Sequence, residues 1–253
     1  MWFTVLPREE CKVHSRFPVI EIFGPTVQGE GMVIGQKTMF VRTAGCDYQC
    51  SWCDSAFTWN GSGKADIRML TAADIVAGLR EAGGETYSHV TISGGNPALL
   101  PRLDELVDEL HRNGMEVALE TQGSVWQDWF LLIDQLTLSP KPPSSGMKTD
   151  WDRLDHIVGR LADGQSEFSL KVVVFDEPDL EYAIEVHKRY GHVPFYVQAG
   201  NDDVLEQNDA ILLSQLMERY KWLVETVMAS TELTNVRILP QLHAWLWGNK
   251  RGK

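Results

Sequence analysis

Cysteine is scarce in this chain, with four residues among 253. So low a count excludes the disulfide framework of a small secreted domain. Positive charge is also short: 23 Lys and Arg against 35 Asp and Glu leave a net charge of −12. Nucleic-acid surfaces need a basic face to neutralise phosphates, so that class gives way to a small-molecule ligand. No segment approaches the roughly 20 apolar residues of a membrane span. Nor is a secretion signal read: Met1 to Leu6 is apolar, but Pro7, Arg8, Glu9 and Glu10 follow at once and leave no h-region. The expected setting is reducing and cytoplasmic. Repeats and linkers are lacking too. Residues 18–253 therefore read as a single domain behind an N-terminal extension, residues 1–17, in which Cys11 is a bystander.

Three of the four cysteines fall within eight residues, Cys46-Asp47-Tyr48-Gln49-Cys50-Ser51-Trp52-Cys53. Thiolates converge in this way to hold a soft metal or an iron–sulfur cluster. A structural zinc site wants four ligands at paired spacings. The C-x3-C-x2-C run offers three, and a fourth would have to be Cys11 or a distant His. A zinc-stabilised binding module is one reading. The other is a [4Fe–4S] cluster held by Cys46, Cys50 and Cys53, with one iron open to an external ligand.

The rest of the chain alternates strand and helix patterns. Strands are expected over 18–23, 38–43, 90–93, 117–120, 136–139, 169–175, 195–198 and 236–239, on β-branched and aromatic content. A glycine-punctuated turn, Gly24-Pro25-Thr26-Val27-Gln28-Gly29-Glu30-Gly31, follows the first strand. Thr71 with Asp74 forms a capping box ahead of a helix stopped by Gly83-Gly84. Leu103, Leu106, Val107 and Leu110 mark a second helix at i, i+3, i+4, i+7. Further helices are expected over 151–161 and 180–190, and a last one carries Leu212, Leu216, Tyr220 and Leu223. The fold class is α/β with a mostly parallel sheet. Polar and glycine-rich clusters recur just after strands: Gly94-Gly95, Thr121-Gln122-Gly123, Ser139-Pro140-Lys141 and Gln198 to Asn201. In a barrel-like α/β sheet such positions gather at one rim, where active sites form.

The cysteine run, with aromatic Trp52 before its last cysteine, resembles the signature of the radical S-adenosylmethionine superfamily. Gly94-Gly95-Asn96-Pro97 resembles the superfamily's strand-end Gly-Gly-Glu-Pro, with Asn96 in place of Glu. The resemblance narrows to the 7-carboxy-7-deazaguanine synthase family. It is carried by Phe23 to Gly31, Phe40-Val41-Arg42, Trp52-Cys53-Asp54-Ser55, Ser93 to Pro97, Leu119 to Gly123, Ser139 to Lys141, Gln198 to Asn201 and Pro240 to His243. It implies a partial (β/α)6-type barrel. It also implies conversion of 6-carboxy-5,6,7,8-tetrahydropterin to 7-carboxy-7-deazaguanine with loss of ammonia, on the route to queuosine. The implied cofactors are a [4Fe–4S] cluster, S-adenosylmethionine and Mg2+. The implied partners are a flavodoxin- or ferredoxin-type electron donor and a second copy of the chain. An activase acting on a protein partner shares the cysteine loop, but Gln28 to Gly31 and Ser55 have no purpose there.

By the same resemblance, Ser55 occupies the Mg2+ position, usually Thr. Val27, Gln28, Gly29, Glu30, Arg42 and Ser93 are expected on the substrate, with Arg42 on its carboxylate, as the guanidinium fork permits. Trp52, Gly95, Glu120, Ser139, Pro140, Lys141, Gln198, Ala199, Gly200 and Asn201 are expected on S-adenosylmethionine, with Glu120 on its ribose. Gln241 and His243 complete the expected set, His243 in a structural or a substrate role.

Overall fold

The computed structural model describes residues 15–253. Most of the expected extension, residues 1–14 with Cys11, lies outside the described residues. The alternating pattern folds as β1 (Phe17–Val27), β2 (Lys37–Thr43), β3 (Arg68–Leu70), α1 (Ala72–Gly83), β4 (His89–Gly94), α2 (Asp104–Arg112), β5 (Glu116–Thr121) and β6 (Gln135–Leu138). Then come α3 (Trp151–Asp163), β7 (Phe168–Val174), α4 (Glu177–Arg189), β8 (Phe195–Ala199), α5 (Asp209–Ala229), β9 (Val236–Leu239) and α6 (Leu242–Trp247). Among the described residues the strands form one sheet in the order β3-β1-β2-β4-β5-β6-β7-β8-β9. From β2 to β9 all neighbours are parallel, while β1 pairs antiparallel with both β2 and β3. Six crossovers link the parallel strands, five through α1 to α5 and one, between β5 and β6, through a 3₁₀ turn at Asp128–Leu132. This is the partial (β/α)6 arrangement, with β9 added at its edge.

Side-chain alternation along the strands separates two faces. Met39, Val41, Val90, Ile92, Val117, Leu119, Leu136, Leu138, Leu170, Val172 and Val174 join one buried apolar cluster with the inward faces of α1 to α4. The intervening residues Arg42, Thr91, Ser93, Glu120, Thr137, Ser169, Lys171 and Gln198 are polar and stand on the opposite, concave face, because successive strand side chains point to opposite sides. A parallel strand covered by apolar layers on both faces reads as a continuous hydrophobic run. Here the opposite face sets these polar side chains among Phe40, Ala118 and Val173, and that face carries the cavity. Helix starts are fixed locally: the Thr71–Asp74 capping box opens α1, and Asp150, Asp176 and Asn208 each accept a backbone N–H at the starts of α3, α4 and α5.

Three expectations need correction. The first strand does not stop at Phe23 but continues to Val27, so the expected turn begins only at Gln28. A register shift between Phe23 and Thr26 lets the strand pass Gly24, whose φ of +118° and a Cβ position only 2.9 Å from Thr38 O both favour glycine. The helix carrying Leu212 to Leu223 is not the last; α6 follows and packs Ala244 against Leu212 and Leu216. The three-residue β3 was not anticipated, since a short exposed edge strand carries almost no pattern. No helix among the described residues is long and apolar enough to cross a membrane.

Candidate active site

The carboxyl ends of the parallel strands open onto one cavity, where the topology gathers loops from every crossover. Cys46, Cys50 and Cys53 all line it, and all are free thiols. Their loop is docked from outside: Ser51 N and Oγ bond the carbonyls of Ser145 (3.1 Å) and Ser144 (2.6 Å), and Trp52 Nε1 donates to Ser144 Oγ at 3.0 Å. From inside, N–H donors already face the sulfurs: Tyr48 N and Gln122 Nε2 on Cys46, Trp59 Nε1 on Cys53. Burial pushes all three thiols up, Cys50 to about 11. Three thiols on one wall, donors aimed at sulfur and no fourth Cys among the described residues suit a three-thiolate cluster better than a closed zinc site.

Glycine lets the β4 end approach this loop. A Cβ on Gly95 would lie 2.0 Å from Gly45 O, and one on Gly94 2.1 Å from Thr43 O. Asn96, buried beneath them, ties three segments together. Its Nδ2 donates to Asp47 Oδ1 (2.9 Å) and Ser124 Oγ (3.0 Å), and its Oδ1 accepts from Thr121 Oγ1 (2.8 Å). A carboxylate could not donate those two bonds, so Asn in place of Glu gives this position a bracing role.

The cavity floor is charged. Lys171 Nζ lies 2.5 Å from Glu30 Oε2 and 2.7 Å from Glu120 Oε1, with its side chain 1% exposed. Gln241 Nε2 donates to Glu30 Oε1 at 2.9 Å, and His243 Nδ1 stands 3.9 Å from the same oxygen. Burial works against ionising Glu30, but Lys171 and His243 outweigh it and hold its carboxyl well below the usual range. Burial likewise opposes the Lys171 ammonium, and Glu120 and Glu30 overcome it and raise its pKa. The buried amide of Gln198 sits beside Glu30 and adds a smaller contribution to holding that carboxyl low.

The rim carries the arginine. Arg42 Nη1 donates to Ser55 Oγ at 2.5 Å, Nε lies 2.6 Å from Glu21 Oε1, and the guanidinium faces the rings of Phe23 and Phe57. Ser55 Oγ in turn donates to Asp54 Oδ1 at 3.0 Å, and Asp54 Oδ2 stands 4.0 Å from His243 Nε2. Ser55 and Asp54 thus present oxygen donors of the kind a hard cation takes. The basic tail 248–253 packs onto this rim: Arg251 Nε is 2.8 Å from Glu21 Oε2, Asn249 Oδ1 accepts from Asn201 Nδ2 at 2.8 Å, and Lys253 lines the cavity.

Of the residues singled out from sequence, Val27, Gln28, Gly29, Glu30, Arg42, Ser93, Trp52, Gly95, Glu120, Lys141, Asn201, Gln241 and His243 line this cavity with the three cysteines and Ser55. Ser139, Pro140, Gln198, Ala199 and Gly200 do not line it. They are buried just behind, Ser139 Oγ accepting from Lys141 Nζ at 3.0 Å and Gly200 closing onto the Phe175 ring. Asp54 and Gln122, quoted from sequence only within motifs and given no role, line it too, and Phe175 and Lys171 were missed. A lone Lys inside the apolar run Phe168–Val174 was the available signal for the last.

Residues 40–140 match the Radical SAM superfamily. A Bacillus subtilis protein named 7-carboxy-7-deazaguanine synthase is 62% identical over 237 residues, 93% of this chain and 98% of its own length. One of the same name from Bacillus cereus is 59% identical over 238 residues, 94% of this chain and 99% of its own. The crystal structure of QueE from Escherichia coli superposes with a TM-score of 0.64 at 24% identity, covering 90% of this chain and 95% of that one, which shows a shared fold.

Proposed function

The chain belongs to the 7-carboxy-7-deazaguanine synthase family, and from that membership we propose how its own residues carry the family's reaction. It is a radical S-adenosylmethionine lyase that converts 6-carboxy-5,6,7,8-tetrahydropterin to 7-carboxy-7-deazaguanine with loss of ammonia. The observation that carries this reading is the shared cavity: three free thiols on one wall, and on the floor a half-buried carboxylate, Glu30, below the Arg42 rim.

Cys46, Cys50 and Cys53 would hold the [4Fe–4S] cluster. Bound together there, cluster and S-adenosylmethionine would supply the radical chemistry for removing a hydrogen from the carbon bearing the substrate carboxylate. Gly94 and Gly95 let the β4 end pack directly against the cysteine loop, which sets the Gly95 backbone in the cavity wall beside the thiols, within reach of a methionyl group. Trp52 and Glu120 provide an aromatic face and a ribose acceptor, with Ser139 to Lys141 and Gln198 to Asn201 forming the wall behind. Glu30, held ionised, accepts hydrogen bonds from the pterin amide and amine. Gln28 and Gly29 shape that end of the cavity. A Cβ on Gly29 would stand 2.2 Å from His243 Nδ1, so only glycine lets the histidine close over it. Arg42 turns its fork to the substrate carboxylate, and Ser55 with Asp54 would hold Mg2+, substrate and water completing its shell. Residues 18–253 act as one domain, in the cytoplasm, as a homodimer reduced by a flavodoxin or ferredoxin.

Anaerobic, cluster-loaded and reduced protein, given S-adenosylmethionine, Mg2+ and carboxytetrahydropterin, should release the deazapurine and ammonia. A loaded and reduced preparation that forms neither product contradicts the reading.

A further inference from the structure

Lys171 is the only charged residue of β7, and it is almost wholly buried with Nζ between two carboxylates of different origin. Glu30 follows β1, and Glu120 stands near the end of β5. A buried lysine held between two half-buried carboxylates is a poor stability device, because well-packed apolar residues often do as well or better. Its position at the floor of a reaction cavity therefore calls for another account. Two carboxylates drawn to one half-buried site, their side chains 18% and 27% exposed, repel each other, and without a cation between them one takes up a proton more readily. A compact ammonium can serve two acceptors at once.

We propose that Lys171 is a positioning residue that keeps Glu30 and Glu120 ionised and fixed, so that one buried ammonium sets both the acceptor offered to the pterin and the acceptor offered to the ribose. The inference rests on the reading above and deepens it. Other groups facing this floor do not replace the lysine. Gln241 Nε2 and His243 Nδ1 reach Glu30 only from the α6 side, and His243 is shared with Asp54. Gln198, on the neighbouring strand β8, sits beside Glu30 but brings no charge to replace the ammonium.

The test is the Lys171→Met holoenzyme, checked first for iron content and thermal midpoint. The pterin KM at neutral pH should rise about tenfold or more, the loss expected for a misplaced hydrogen bond to a charged group, while kcat at saturation falls less. The cluster spectrum should not change. The raised KM should recover as pH increases and the carboxylate pair ionises, whereas the wild-type KM shows no such recovery. In Lys171→Met/Glu120→Gln the pair no longer shares a proton, so the pterin KM should return part of the way while S-adenosylmethionine affinity stays weak. A mispacked core would show no such partition. Lys171→Met with full iron and both constants within about twofold of wild type at every pH overturns the proposal. If that variant does not fold, the double variant carries the test, and wild-type constants in it overturn the proposal equally. Failure of the wild type to form the deazapurine is a different result, and it removes the family reading.

Discussion

The cysteine loop and the charged floor are built in opposite ways. The loop is contiguous, Cys46 to Cys53, and its sulfurs are met by donors from nearby backbone and two side chains. The floor is assembled from residues 30, 120, 171, 241 and 243, brought together only by the sheet. The loop holds neutral thiols whose burial disfavours charge until a metal takes them. The floor holds permanent charges that exist only because they meet one another. One region is a local ligand set, and the other is a consequence of topology.

That contrast can be broken by substitution, and the largest effect belongs to the loop. Serine at any one of Cys46, Cys50 or Cys53 should abolish turnover and the iron–sulfur absorbance together, read by anaerobic assay and spectrum. Retained absorbance would show that the three thiols are not equivalent ligands. On the floor, Glu30→Gln should keep the cluster and raise the pterin KM about 10- to 100-fold, the value of hydrogen bonds to a charged group.

The same variant has a pH signature. A carboxylate depressed below its ordinary 4.5 contributes stability that is present above that value and lost as pH falls through the folded one. Acid unfolding should therefore be less steep in Glu30→Gln. Lys171, raised above its ordinary 10.5, contributes stability that is present below that value and lost only as pH rises through the folded one. Between the two ordinary values the Glu30–Lys171 pair should add no pH dependence of its own to the thermal midpoint, which comparing stability scans against pH for wild type and Glu30→Gln checks.

At the rim, Arg42→Ala should weaken pterin binding about tenfold by loss of one charge-assisted bond. The cluster spectrum should stay intact, and loss of the cluster would show that the residue serves the loop. The smallest effect is a control far from both regions. Thr71→Ala removes the α1 capping box at about 1 kcal/mol of stability and should leave both KM values alone.

How much was legible follows the same division. The loop, the capping box and the helical spacing of α2 are local patterns, and they appear where expected. The strands are also local, though β1 runs past its glycine because a register shift absorbs it. Glu30 and Glu120 were visible as separate residues, but nothing in the chain said that they meet. Their partner Lys171 looks like a stray charge in an apolar strand until alternation puts it on the concave face. Arg251 likewise became meaningful only once Glu21 stood between it and Arg42. Contacts across 51 to 230 residues of chain, from Lys171–Glu120 to Arg251–Glu21, are not written in spacing.

The central claim is that the three thiolates hold an iron–sulfur cluster beside a charged substrate floor. Metal and sulfide analysis of anaerobically purified protein tests it most directly. About four irons per chain with matching labile sulfide is the predicted result. One zinc per chain without iron would contradict it.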